Sequence, residues 1–327
     1  MRCLMKTPKL NEKAFVRLSI MGALLAAMLV GAIFMMGCNT SADDSNHPYR
    51  NPNLVYEGWW MQYDNLTHFG HDGEPYESEN FVMYSDACPL EEKQRVAAVL
   101  EVLFQELMDL LQVQSKDEFI YSTPDRKLHI YLSKNLRFPW GGGFMDTYGF
   151  MLYSLDSPYH NWPQEAYDMI LKHELMHVVG GILSNGIRGD AWFIEGIAEN
   201  VSDLSGMWSR VTSRSQVEDW MTRHQGTTYN GNPIAIHTYD DIYASNPHAT
   251  AEWDPYFELA VRYLLDPQGY GATWLDVKNI FLDMRQELTF GQAFFNRLGM
   301  SLDYYETNFF TLILDYLPLG NGERQEL

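Results

Sequence analysis

His173-Glu174-Leu175-Met176-His177 sets two imidazoles four residues apart, with a carboxylate directly after the first. On an α-helix, positions i and i+4 share a face, so the two rings can converge on one metal ion. Zinc accepts such a pair. Glu174 then stands beside the metal rather than on it, where a carboxylate can take a proton from water and act as general base. A catalytic zinc wants three protein ligands and one open position. Glu195 is the candidate for the third, and Glu199 follows it by one helical turn on the same face. One carboxylate of this pair can bind the metal while the other accepts the free N–H of a ligand imidazole and fixes its tautomer. Glu195 is read as the ligand and Glu199 as the orienting group.

Two helices must carry these groups. Around the first motif, Tyr167, Ile170, Leu171, Leu175, Val178 and Val179 form an apolar run, and Gln164, Glu165 and Asp168 put polar and acidic groups near its start, as a helix N-terminus prefers. Gly180-Gly181 predicts its end. A loop over 184–190 turns the chain back, and Asp190 suits the N-cap of the helix that holds Glu195 and Glu199.

H-E-x-x-H followed by Trp192-Phe193-Ile194-Glu195-Gly196-Ile197-Ala198-Glu199 resembles the gluzincin metallopeptidases, including the peptidase-MA-like enzymes and the catalytic domain of bacterial collagenases. The resemblance covers roughly residues 80 to 318. It implies an α+β, two-lobed, thermolysin-like fold, with a small mixed sheet and helices in the upper lobe over 81–182. The glutamate helix and a helical lower lobe would follow over 183–327. It also implies one zinc ion per chain, held by His173, His177 and Glu195, and hydrolysis of peptide bonds, with endopeptidase action preferred because no exopeptidase motif is visible. An edge strand above the zinc would bind extended substrate, and residues 143–155 are the candidate for it. A lower-lobe Tyr or His would stabilise the oxyanion on the carbonyl; Tyr256 is the first choice, with Tyr239 and His237 behind it. A reading from another class is a surface-binding lipoprotein that keeps such a fold and metal but cleaves nothing.

The first 38 residues are an address label. Lys6, Lys9, Lys13 and Arg17 precede an apolar run over 18–36 that ends at Gly37-Cys38. This is the form of an export signal. Gly before Cys resembles a bacterial lipoprotein cleavage site, with Cys38 as the lipidated first residue; nineteen apolar residues are also long enough for an uncleaved membrane anchor. Either way the remainder is expected outside the cytoplasmic membrane and tethered to a membrane, with 39–80 as tether and irregular arm. Within that arm, His68, His71 and Asp72 lie between Gly70 and Gly73 and read as a surface turn rather than a second metal site. The chain has 23 basic and 43 acidic residues; five of the basic and one of the acidic precede Cys38, which leaves 18 against 42, a net charge of −24, on the rest. Nucleic acid and anionic lipid headgroups are poor partners for such a surface. Cys88 is the one cysteine after Cys38, so the exported part can form no internal disulfide and must rest on its core.

Apolar periodicity predicts strands over 81–84 and 128–132, a helix over 90–113 between them, and a further strand or two over 144–155. His129 reads as a packed or edge histidine. Beyond Glu199 the pattern predicts helices over 213–223, 252–265, 273–287, 289–297 and 301–316. Thr273, Thr289 and Ser301 serve as N-caps and Gly299 as a C-cap.

Overall fold

In a computed structural model of the chain, the described residues are 74–86, 89–121, 125–133, 143–145, 150–154, 164–187, 189–208, 210–223, 228–229, 232–233, 236 and 254–318. The chain is α+β and mostly helical, with a small mixed sheet in its first half. The signal and arm over 1–73, Cys88, His237, Tyr239, Tyr243 and His248 lie outside the described residues.

Five strands form the sheet: β1 (Tyr76–Glu77), β2 (Phe81–Asp86), β3 (Leu128–Ser133), β4 (Gly143–Met145) and β5 (Phe150–Ser154), in the order β1-β2-β3-β5-β4. The three inner strands are parallel, in the register Met83↔Ile130 and Ile130↔Met151, and both edge strands run antiparallel to their neighbours. Parallel neighbours need a crossover. Helix α1 (Leu90–Leu110) supplies the one between β2 and β3. Phe81, Met83, Leu128, Ile130 and Leu132 alternate onto the face that packs against Val96, Leu100, Phe104 and Leu107 of α1. His129, on the opposite register, is packed as expected: Nε2 lies 3.0 Å from Asp125 Oδ2 and Nδ1 lies 3.3 Å from Tyr84 Oη.

Helix α2 (Gln164–Ser184) carries H-E-x-x-H and is packed on α1, on β4 and β5, and on three of the helices that follow, those over 191–202, 204–208 and 274–285; seven helices follow in all among the described residues. Those are α3 (Ala191–Ser202), α4 (Leu204–Trp208), α5 (Arg214–Arg223), α6 (Asp254–Leu265), α7 (Trp274–Arg285), α8 (Phe290–Leu298) and α9 (Leu302–Tyr316). A two-residue ladder pairs β6 (Thr228–Tyr229) with β7 (Asn232–Pro233). One continuous apolar core joins sheet and helices.

The caps predicted at Thr273, Thr289, Ser301 and Gly299 form. Thr273 and Thr289 each close a capping box, with Asp276 and Gln292, Ser301 accepts from the Tyr304 N–H, and Gly299 ends α8 in the left-handed region at φ 68°. Two expected helix ends move. Gly180-Gly181 does not stop α2, which runs on to Ser184. A Cβ on Gly180 would come within 3.0 Å of the Phe281 ring, so Gly180 meets a need of packing against α7. The stop belongs to Asn185, at φ 60°, with the Gly186 N–H donating to the Gly181 carbonyl in a Schellman turn. Helix α1 likewise ends before 113, because Gln112 turns left-handed at φ 52° and the Val113 N–H donates back to Met108 O.

Candidate metal centre

Helices α2 and α3 meet with His173, His177 and Glu195 facing one another. The two Nε2 atoms lie 3.1 Å apart, and Glu195 Oε2 lies 3.4 Å from His173 Nε2 and 3.3 Å from His177 Nε2. The imidazoles cross at 83° with centroids 4.8 Å apart, so each offers its Nε2 lone-pair edge to the same point. This group can hold a metal ion. On the far side of the first ring, His173 Nδ1 lies 3.5 Å from Glu199 Oε1. Glu195 is thus the carboxylate of the group that could hold an ion, and Glu199 lies beyond the first ring with a gap too long for a hydrogen bond to Nδ1.

The electrostatics point the same way. Glu174 is 5% exposed, and burial, followed by the charges of Glu195 and Glu199, pushes its carboxyl well above the usual range. Burial also acts to raise Glu195. The charges of His177 and His173 and their hydrogen bonds outweigh it and hold Glu195 well below the usual range. Three carboxyls around two imidazoles make a site short of positive charge, which a bound cation corrects.

The sequence dictates how α3 is seated. Trp192 packs edge-on against Phe193, Phe290 and Phe294 and lies against Tyr305, and its indole N–H donates to Glu306 Oε1 at 2.7 Å. That fastens the first turn to α8 and α9. Asp190 occupies the N-cap position, but its side chain makes no capping bond to the helix. Gly196 lies flush on α6, where an added Cβ would collide with the Phe257 carbonyl oxygen.

Tyr256 lies in an aromatic stack, 5% exposed, its ring centroid 4.9 Å from that of Trp220 and 6.3 Å from that of Phe310. The rivals His237 and Tyr239 fall outside the described residues, and the side chains over 143–155 do as well. Sequence reading missed Asn200, whose side-chain N–H groups donate to the carbonyls of Gly196 and Glu258 at 2.7 and 2.8 Å. An Asn after a run of chemistry-bearing residues gives no local signal of a partner fifty-eight residues away. Among the described residues no other group of His, Cys, Asp and Glu could hold a metal ion, and no helix is long and apolar enough to cross a membrane. A scan of protein-family models and a search of curated proteins return no match for this chain.

Proposed function

We propose that the chain is a zinc metallopeptidase of the two-lobed gluzincin type, exported and tethered to a membrane through its N-terminal segment at Cys38, with peptides or proteins as substrates and endopeptidase action. The observation that carries this reading is the ligand spacing. Bonds of about 2.0–2.1 Å to a tetrahedral zinc put its ligand atoms about 3.3–3.4 Å apart, against 3.1, 3.3 and 3.4 Å among the Nε2 atoms of His173 and His177 and Oε2 of Glu195.

His173, His177 and Glu195 would hold the zinc, which would supply a Lewis acid for the peptide carbonyl and for water. The chain supplies the rest. Glu174, next to a ligand but not itself one, accepts the proton of the attacking water and delivers it to the leaving amine. Burial and the charges of Glu195 and Glu199 push its carboxyl upward, which makes it the stronger proton acceptor of the three. Glu199 Oε1 lies 3.5 Å from His173 Nδ1, and a small approach on metal binding would let it accept that N–H, keeping Nε2 unprotonated and aimed at the metal. Tyr256, the expected donor to the oxyanion, keeps its ring among Trp220 and Phe310.

The test is zinc content beside cleavage. Purified protein should carry about one zinc per chain, and Glu195→Ala should lose it or hold it far more weakly. A mixed peptide library should be cut by the wild type and left intact by zinc-loaded Glu174→Gln. Zinc without cleavage of any library peptide would favour the non-catalytic surface-binding reading, and a wild type that takes up no zinc would end the metal reading altogether.

A further inference from the structure

The back of α3, away from the histidines, is held by a polar device. Asn200 Nδ2 spans two helices, donating to Gly196 O of its own helix at 2.7 Å and to Glu258 O of α6 at 2.8 Å. Glu258 itself is wholly buried, an expensive place for a carboxylate unless it is paired. Arg262 Nε lies 3.0 Å from its Oε1 and Arg210 Nε 3.4 Å. Arg210 pairs in turn with Asp203, the left-handed C-cap residue of α3 at φ 59°, and Arg262 donates to the carbonyl of Val211. The chain of contacts leaves α3 at Asn200, crosses α6 and returns to α3 at Asp203.

A metal site tolerates little error in where its ligands stand, and α3 brings the third ligand and the group that orients the first. A slip of one residue along a helix moves a side chain about 1.5 Å along the axis and about 100° around it. Apolar packing is non-directional and resists such a slip only through shape. Hydrogen bonds to two backbone carbonyls on two helices fix both rotation and register. Gly196, one turn before Asn200 on the same row, lets the backbones approach closely enough for one amide to span them.

We infer that Asn200, braced by the Glu258 carbonyl and its arginine network, is a positioning residue for the metal centre, setting Glu195 and Glu199 against the imidazoles. The inference rests on the metal reading and adds a residue that touches neither metal nor substrate. Its test uses cobalt(II) alone as the probe, titrated into the metal-free full chain and followed by visible absorption, whose bands report ligand number and geometry. Asn200→Ala should bind cobalt about 10–100-fold more weakly, the usual cost of losing a partner that orients a ligand, and its absorption should shift toward that of Glu195→Ala. Asn200→Ser keeps a hydroxyl for the Gly196 carbonyl but does not reach α6, so it should behave alike and gives a milder variant if the alanine protein folds poorly. A control of lowered stability away from the site, Leu100→Ala, should bind cobalt as the wild type does. If both Asn200 variants bind within about threefold of wild type with an unchanged spectrum, the positioning role is overturned while the metal reading stands. A wild type that binds no cobalt overturns both.

Discussion

Helices α1 and α2 are each 21 residues long, pack on each other and line the same core, yet they are built to different ends. On α1 the buried positions are apolar, with Lys93 the exception, its ammonium donating to the Glu74 carbonyl at 3.1 Å. Its outer face is mostly polar, with Leu90 and Val102 exposed among the charged and amide residues, close to the ordinary amphipathic solution. On α2 apolar residues run most of the way round, and His173 and Glu174 are buried among them. Burying a titratable group costs free energy unless a partner or a metal compensates. One helix is spent on stability, the other carries groups that stability alone would not choose.

That contrast can be broken from either side. Glu174→Gln should lower turnover by about 10²–10⁴-fold, the usual range for a general acid–base group. The metal-free protein should be no less stable, since a neutral amide escapes the repulsion of Glu195 and Glu199. Peptide cleavage and thermal unfolding, measured on the same preparation, decide it; a large loss of stability would mean that α2 is an ordinary structural helix. Leu100→Ala on α1 should do the reverse. Leu100 is fully buried in the core, so about 2–5 kcal/mol of stability should go, read from denaturant unfolding, with zinc per folded chain unchanged. The smallest effect is expected at Tyr256→Phe. Its ring is enclosed by Trp220 and Phe310, and if it works by packing, turnover should stay within about threefold. A drop on the scale of about 10²–10³, as for a lost oxyanion donor, would restore its expected catalytic place.

How much of this could be read from sequence follows the range of each interaction. H-E-x-x-H and the Glu195–Glu199 pair are helical spacings, so the offset alone says which side chains share a face. The caps at Thr273, Thr289 and Ser301 are contacts over three residues, and they were equally legible. Gly180 misled because a glycine has two common uses, ending a helix and admitting a neighbour, and only the Phe281 ring shows which applies. Strand β1 was hidden inside what read as an arm, since two residues are too few to display alternation. The Asn200–Glu258 clasp was beyond reach because it joins residues far apart in the chain, between helices whose faces the pattern does not orient.

The Schellman turn at Asn185-Gly186 and the short link to α3 have a bearing on how the molecule assembles. Every residue of the metal group lies between 173 and 195, so the ligands meet within one local helical hairpin, with no strand pairing needed to bring them together. Contacts this near in sequence form early, because little chain entropy is lost in closing them. An unfolded chain can therefore bring the three ligands near one another at little entropic cost, before α6 fixes the register of α3. Binding to the unfolded state offsets binding to the native one, so metal should raise the melting temperature less than a clip of the same affinity joining distant segments. In this protein the ion would be acquired early in folding while adding little to the strength of the finished fold.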